Sequence, residues 1–350
     1  MVAVFTTPAR LPAVIGLALL IALPSACAGG PSPTVAASRP TPSVASATKT
    51  PAPTPTENPA AYSANELGLV PVLMYHRIVA DPHSVYERTP TDFRAELVRL
   101  AKENYVPVTA AQYTAGDIDI PAGTHPVVLT FDDGDRSQFS LTAAGVPAAS
   151  SAVGILLAVS REYPRFRPVA TFFLNADPFG DHGGTHTVPW LSAHGMDIGN
   201  HTLTHANLAR STDAGAQREI ADGDQAIRQA APGVQPVTLA LPFGLHPQEA
   251  GLALRGASGK IRYHYRGAFL VGANPAPSPY AADFDPLRIP RIRSQSDSGP
   301  DAQYCSTAWL NKLAADPGER YTSDGVLDRI AFPRGTGQAA SAFRDRTLAY

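Results

Sequence analysis

Residues 126–131 read PVVLTF and run directly into Asp132-Asp133-Gly134. A short continuous apolar run closed by a turn signal predicts a strand buried on both faces. Two adjacent carboxylates at the mouth of such a strand are costly unless a cation or a proton compensates them. Gly134 allows a turn sharp enough to bring both side chains to one site. Asp-Asp-Gly is also a common cap or turn, so this stretch alone leaves both readings open.

The same pattern repeats on either side. LVPVLMY (69–75), PVATFFL (168–174), MDIGN (196–200), VTLAL (237–241), GAFLVG (267–272) and LRIPRI (287–292) read as further buried strands. Between them lie helical stretches. Thr91 to Glu103 carries Phe93, Leu97 and Leu100 at helical spacing, with Asp92 and Glu96 early and Arg99 and Lys102 late, as the helix dipole prefers. SAVGILLAVSREY (151–163), a short turn of helix at Trp190–His194 and Ser211 to Ala231 continue the alternation. Strands separated by helices build parallel sheets. About seven of them over this length predict a (β/α) barrel rather than an open sheet, and the chemistry of such barrels sits at the C-terminal ends of the strands. No internal repeat, phosphate-cradling Gly-x-Gly-x-x-Gly or G-x-S-x-G elbow is present.

A second motif stands at a strand end. Asn200-His201-Thr202-Leu203-Thr204-His205 follows MDIGN. Two His at i and i+4 share one face of a helical turn, close enough to hold one metal. With one Asp they form a two-His-one-carboxylate set that leaves positions open for water and substrate. The competing pair His182 and His186 has two glycines between its members, which argues for a loop. His194 reads as a helix-end cap, and His83 and His125 as turn residues beside proline that need no role.

The flanks and the composition narrow the reading. Residues 11–23 (LPAVIGLALLIAL) follow Arg10 and precede Ser25, Ala26 and Ala28. The run falls short of the roughly 20 residues that span a bilayer and has the layout of a secretory signal over residues 1–28. Cys27 stands where a lipoprotein signal places its lipidated cysteine, though Ala26-Cys27-Ala28 also fits a simple cut. Residues 29–65 are Pro, Ser, Thr and Ala with hardly a large apolar side chain, so they read as a tether reaching on the order of 100 Å. Residues 66–350 are then the catalytic domain. Lys+Arg 28 against Asp+Glu 30 supplies no basic face for nucleic acid. Two cysteines, Cys27 and Cys305, are too few for a disulfide scaffold. The expectation is an exported monomer, held at the membrane only through Cys27 or released to the wall or medium.

Thr130-Phe131-Asp132-Asp133-Gly134 and His201-Thr202-Leu203-Thr204-His205 resemble the first two motifs of the polysaccharide deacetylase (NodB-homology) family, carbohydrate esterase family four. Leu241-Pro242-Phe243-Gly244 is similar to the third, and Val72-Leu73-Met74-Tyr75-His76 to the first strand of the exported branch that acts on poly-N-acetylglucosamine. The resemblance runs from about Leu69 to about Arg293. It implies a distorted (β/α) barrel and a divalent ion, zinc by preference, held by Asp133, His201 and His205. It implies Asp132 as general base, the Phe243 backbone N–H as oxyanion donor and an N-acetylated polysaccharide as substrate.

The sequence departs from the family pattern in two places. The usual Leu-x-His near the C-terminus, which supplies the acid, is missing, leaving His76, His246 and His264 as candidates. The Arg that normally precedes the third motif and holds the base is replaced by Ala240-Leu241. Arg291 could take its place, or form an ordinary surface ion pair. Two alternatives to the deacetylase reading remain: an O-acetyl esterase on the same fold, whose better leaving group has less need of an acid, and a wall-associated binding lipoprotein with little turnover. For the anchor, Cys27→Ala should move the protein from the membrane fraction to the medium. Equal partitioning of both forms in a fractionated culture would refute lipidation.

Overall fold

A computed structural model describes residues 58–350. The expected signal, Cys27 and all of the tether before residue 58 lie outside the described residues. Among those described, no helix is long and apolar enough to cross a membrane.

The barrel strands are β1 (Val72–Tyr75), β2 (Tyr105–Val108), β3 (His125–Asp132), β4 (Thr171–Leu174), β5 (Asp197–Asn200), β6 (Thr238–Ala240), β7 (Gly267–Phe269) and β8 (Ile292–Arg293). Their order in the sheet is β7-β6-β5-β4-β3-β1-β8, with β2 beside the first half of β3, and every pairing is parallel. The stretch read as LRIPRI joins the two edges. Ile289 exchanges backbone hydrogen bonds with β7, through Ala268 O and the Leu270 N–H, while Ile292 and Arg293 pair with Leu73 and Met74 of β1. The expected distorted (β/α) barrel is what the chain builds, with seven parallel strands in the ring and β2 beside it as an eighth.

The helices are α1 (Pro90–Lys102), α2 (Ala110–Ala115), α3 (Ala152–Glu162), α4 (Thr187–Ala193), α5 (Asp213–Ala230) and α6 (Ser306–Ala315), and four of them open on a side-chain cap. Thr89, Ser151 and Thr212 accept the first free N–H groups of α1, α3 and α5, and Thr109 and Gln112 form a capping box on α2. The sequence pattern misses β2, α2 and α6. Val106-Pro107-Val108 is too short a run to stand out, and α2 is only six residues long.

Strand alternation decides what faces the barrel interior. On β3, Val127, Leu129 and Phe131 pack outward with Tyr75, Phe93 and Phe172. Val128 joins the other cluster, with Val72 and Phe173. By the same period Thr130 and Asp132 turn inward with Val128. A buried carboxylate thus enters the barrel as a consequence of strand geometry.

Two sequence expectations change. The folded region reaches back beyond residue 66. Asn58 caps a 3-10 turn at Pro59–Tyr62, Ala64 is fully buried, and the Asn65 N–H donates to Thr322 O at 2.9 Å. Apart from Tyr62 these residues lack large side chains, so composition assigned them to the tether, but they are held by backbone pairing with the C-terminal segment. His125 is not an idle turn residue either. It opens β3, is buried, and its Nδ1–H donates to Tyr321 O at 2.8 Å.

Glu66 lies in the same seam. Its carboxylate accepts from the Ala331 N–H at 2.7 Å and from the Asp324 N–H at 3.3 Å. Burial, then the charge of Asp324, pushes its pKa up to about 8. Burial, then Arg320, pushes His125 down to about 4. A raised carboxyl favours the fold below its unfolded value near 4.5 and loses that contribution as pH rises through about 8. A depressed imidazole favours the fold above about 6.5 and loses it as pH falls through about 4. Of these two, only the Glu66 contribution is still changing above pH 6.5. Stability measured by denaturant unfolding should therefore fall from pH 6.5 to pH 8, and Glu66→Gln should flatten that decline.

Candidate metal centre

The C-terminal ends of β3 and β5 bring the two motifs together. Asp133 follows β3 in the left-handed region (φ 76°), and Gly134 continues the turn at φ 68°. A Cβ at Gly134 would lie 2.8 Å from Pro178 Cβ, so glycine is needed there both for conformation and for space. After β5 the chain does not form the helical turn expected from the i, i+4 spacing of the histidines. Thr202 (φ 65°) and His205 (φ 58°) are both left-handed, and 201–205 is an irregular loop. The pair still converges, because the loop is held from outside. Asn175 Nδ2 donates to the His201 and Thr202 carbonyls, at 2.6 and 3.0 Å. Asn200 Oδ1 accepts from the Thr202 N–H, while its Nδ2 donates to Ile220 O and to the Tyr265 hydroxyl. Gly223 lets α5 press against this loop: a Cβ there would meet Asn200 Oδ1 at 2.6 Å.

Asp133, His201 and His205 offer one donor atom each within 4.8 Å of one another. Asp133 Oδ1 lies 3.4 Å from His201 Nε2 and 3.7 Å from His205 Nε2. Ligands about 2.1 Å from one tetrahedral ion lie about 3.4 Å apart, so this spacing suits a shared metal. The donor set passes a second test. His201 Nδ1–H donates to Ala240 O at 2.8 Å, which leaves Nε2 with its lone pair, and Nε2 is buried without a hydrogen-bond partner. A carbonyl behind the ring is the support that metal-binding histidines use.

Asp132 lies behind the triad and takes no part in it. It is 1% exposed and receives both Arg291 Nη groups, each at 2.7 Å. Arg291 is 0% exposed and also donates from Nε to Leu270 O at 2.7 Å and from Nη1 to Thr130 Oγ1 at 3.2 Å. The ordinary surface ion pair considered for Arg291 is excluded by this burial. Burial alone would raise the Asp132 carboxyl, but Arg291 and then His201 outweigh it and hold the group well below the usual carboxylate range. His76 Nε2 stands 3.9 Å from Asp132 Oδ2, and burial lowers its pKa against the pull of Asp132.

These side chains line a cavity of about 430 Å³. Phe243 forms part of its rim in a strained turn (φ 59°), with its ring centroid 4.7 Å from that of His205. The sequence profile of the polysaccharide deacetylase family matches residues 119–258, which hold both the Asp-Asp-Gly and the His-x-x-x-His stretches. Over these residues the chain is similar to polysaccharide deacetylases. Two curated relatives are chitooligosaccharide deacetylases. That of Bradyrhizobium sp. (strain ANU 289) is 27% identical over 161 residues, 46% of this chain and 64% of the relative. That of Sinorhizobium fredii is 27% identical over 123 residues, 35% of this chain and 49% of the relative. The chain thus spans about half to two thirds of the length of these relatives. Among solved structures, a polysaccharide deacetylase from Bacillus cereus aligns with a TM-score of 0.48 at 22% identity, covering 64% of each chain. IcaB from Ammonifex degensii aligns with a TM-score of 0.47 at 19% identity, covering 68% of this chain and 97% of its own.

The other histidines stand elsewhere. His182 and His186 are exposed and pair with different aspartates, Asp177 and Asp181. His194 stacks on Trp190 at the end of α4, as a cap. His246 Nε2 is tied to Leu287 O, and His264 is exposed on a hairpin strand outside the cavity. Of the three acid candidates, only His76 lines the cavity. Cys305 is buried and unpaired among the described residues.

Sequence reasoning missed the supports. Asn175, Asn200 and Gly223 act through backbone contacts that no motif reports. Gln138 is similar: its Nε2 donates to the carbonyls of His76 and Asp132, tying the ends of β1 and β3 together. The Asn200 that closes MDIGN was the one visible signal, a polar residue ending a buried strand.

Removing one member of a buried ion pair leaves the other charge uncompensated, at a cost of about 3–5 kcal/mol. Arg291→Met should therefore destabilise the domain by about that amount, and Asp132→Asn in the same chain should recover part of the loss. Denaturant unfolding of the two single variants and the double variant checks this. Simple additivity would show that the two side chains do not act as a pair.

Proposed function

We propose that the protein is a metal-dependent hydrolase that removes N-acetyl groups from a polysaccharide of the cell envelope or its surroundings. The observation that carries this reading is the arrangement of an orphaned His201 Nε2, His205 and Asp133 in front of a separate, ion-paired Asp132, at the mouth of a deacetylase-type barrel. The signal-like residues 1–28 and Cys27 support export, with the lipid anchor as the link to the membrane. The two chitooligosaccharide deacetylases among its relatives support an N-acetylated sugar as substrate.

Asp133, His201 and His205 hold the divalent ion, with zinc favoured by the two imidazoles and one carboxylate. When bound, that ion supplies Lewis acidity toward an acetyl carbonyl and toward water. The chain's own residues do the rest. Arg291 keeps Asp132 ionised and fixed by two parallel hydrogen bonds, so the carboxylate is ready to accept a proton from the attacking water. Phe243 lines the cavity in a left-handed turn, which supports its backbone N–H as the donor to the developing oxyanion. The departing amine needs a proton, and His76 is the imidazole in the cavity lining that is not a ligand.

Acetate release from N-acetylglucosamine oligomers tests the reading, with acetylated xylan as the ester comparison and each with and without chelator. Chelator-sensitive release from the amide substrate is expected. Release from the ester alone would favour the esterase, and tight metal binding without release from either would favour a binding protein. Within the site, Asp133→Asn should lose both metal and activity. Asp132→Asn should keep stoichiometric metal, measured by elemental analysis, and lose about 10²–10⁴-fold in rate. If Asp132→Asn were the variant that lost the metal, the two roles would be reversed.

A further inference from the structure

Large apolar side chains left exposed among the described residues include Tyr86, Phe243 and Val271, and all three line the metal cavity. Apolar surface gathered around a polar cleft marks a ligand contact. Two of these are aromatic rings that flank the triad. The Phe243 ring lies against His205, and the Tyr86 ring lies against His76 with centroids 4.9 Å apart. Phe243 belongs to the motif already described. Tyr86 does not, and the mechanism gives it no task.

Tyr86 is 41% exposed, yet it is held firmly. The Arg293 guanidinium lies 5.6 Å from its ring centroid. Its backbone N–H donates to Ser84 Oγ at 3.2 Å. It sits beside a small parallel ribbon, Arg77–Ile78 with Glu87–Arg88, locked by an Arg77–Glu87 ion pair at 2.5 Å. The His83 N–H donates to the other Glu87 oxygen at 2.7 Å, and Arg77 reaches Asp135, just past the metal-binding turn, at 3.6 Å. A ring fixed in this way presents its surface to a ligand with little further loss of freedom.

The ground beyond the ring is polar. Ser84 and Glu87 line the metal cavity on one side and a second cavity of about 530 Å³ on the other, with Arg88, Asp92, Gln295 and Ser298. The 84–87 segment is therefore a ridge between two hollows, with an aromatic ring on it. A pyranose has an apolar C–H face and a rim of hydroxyl groups. It matches a ring for the face and charged or amide side chains for the rim. A single acetylated sugar at the triad would leave both the ridge and the second hollow unused.

We propose that Tyr86 is a stacking platform for a sugar residue next to the one whose acetyl group enters the triad, and that the chain continues over the 84–87 ridge into the 88–92/295–298 hollow. The substrate is then an oligosaccharide or polysaccharide engaged through several residues. This rests on the deacetylase reading above and adds the length of chain that the site requires. Binding energy gained at Tyr86, away from the reacting bond, is used to hold the acetyl group in place.

The test compares Tyr86→Ala and Tyr86→Phe with the wild-type protein, all zinc-loaded. The probes are penta-N-acetylchitopentaose and the small ester 4-nitrophenyl acetate, with calorimetric binding of the pentamer in parallel. Tyr86→Ala should lower kcat/KM on the pentamer roughly tenfold, the size of one aromatic contact, and weaken its binding equally. Turnover of the small ester should stay within about twofold of wild type, and Tyr86→Phe should behave as wild type on both probes. Equal losses on both probes, no loss on the pentamer, or a Phe variant as weak as the Ala variant would overturn the proposal. If the wild type releases acetate from the pentamer and Tyr86→Ala does so equally well, the platform falls and the deacetylase reading stands. If the wild type binds the pentamer through Tyr86 but releases no acetate, the platform stands and the deacetylase reading falls.

Discussion

The buried pair of Asp132 and Arg291 is the contact on which the site and the barrel both depend. Asp132 comes from the end of β3, and Arg291 from the stretch that closes the ring between β7 and β1. Their two hydrogen bonds therefore join the central strand to the closing segment across the interior. A carboxylate in that position would be prohibitive alone, and a guanidinium equally so. Each is tolerated only because the other is there, so the barrel closes in the register that pairs them. The same contact fixes the ionisation and direction of the carboxylate nearest the triad. Structure and chemistry draw on one interaction.

The triad depends on a different device. A helical turn would have presented His201 and His205 on one face at little cost. The chain instead uses a loop with two left-handed residues that are not glycine, which costs on the order of 1–3 kcal/mol each. That cost is offset by Asn175, Asn200 and the close approach of α5 at Gly223. The result is a His201 imidazole fixed from behind, with its buried Nε2 left free for a ligand and the His205 ring beside it. Strain concentrated beside a candidate metal centre, supported by side-chain amides at neighbouring strand ends, is the expected form of a preorganised site.

Far from the site, Glu66 and His125 hold the ends of the folded chain together. Both are buried, both bond to the segment 321–331, and their ionisation opposes folding from opposite directions of pH. The N-terminal residues 58–66 are thus part of the domain through backbone pairing, although their composition resembles the tether that precedes them.

Much of this was legible from residue order. Seven short apolar runs separated by helical stretches are enough to specify a parallel barrel, because period and length carry the information. Asp-Asp-Gly and His-x-x-x-His at strand ends marked the candidate metal centre, because strand ends converge in such a barrel whatever the loops do. Residue order did not show that Arg291 enters the interior, since a charged residue in LRIPRI reads equally well as surface. Only closure of the ring, with strand alternation turning Asp132 inward, decides that. Nor did it show that the histidines meet through a strained loop, that Asn175 and Gln138 hold the motifs, or that His76 alone of the acid candidates reaches the cavity. Those depend on contacts between separate segments, Asn175 with His201 26 residues on and Gln138 with His76 62 residues back, and local sequence carries no record of which distant backbone a side chain will meet.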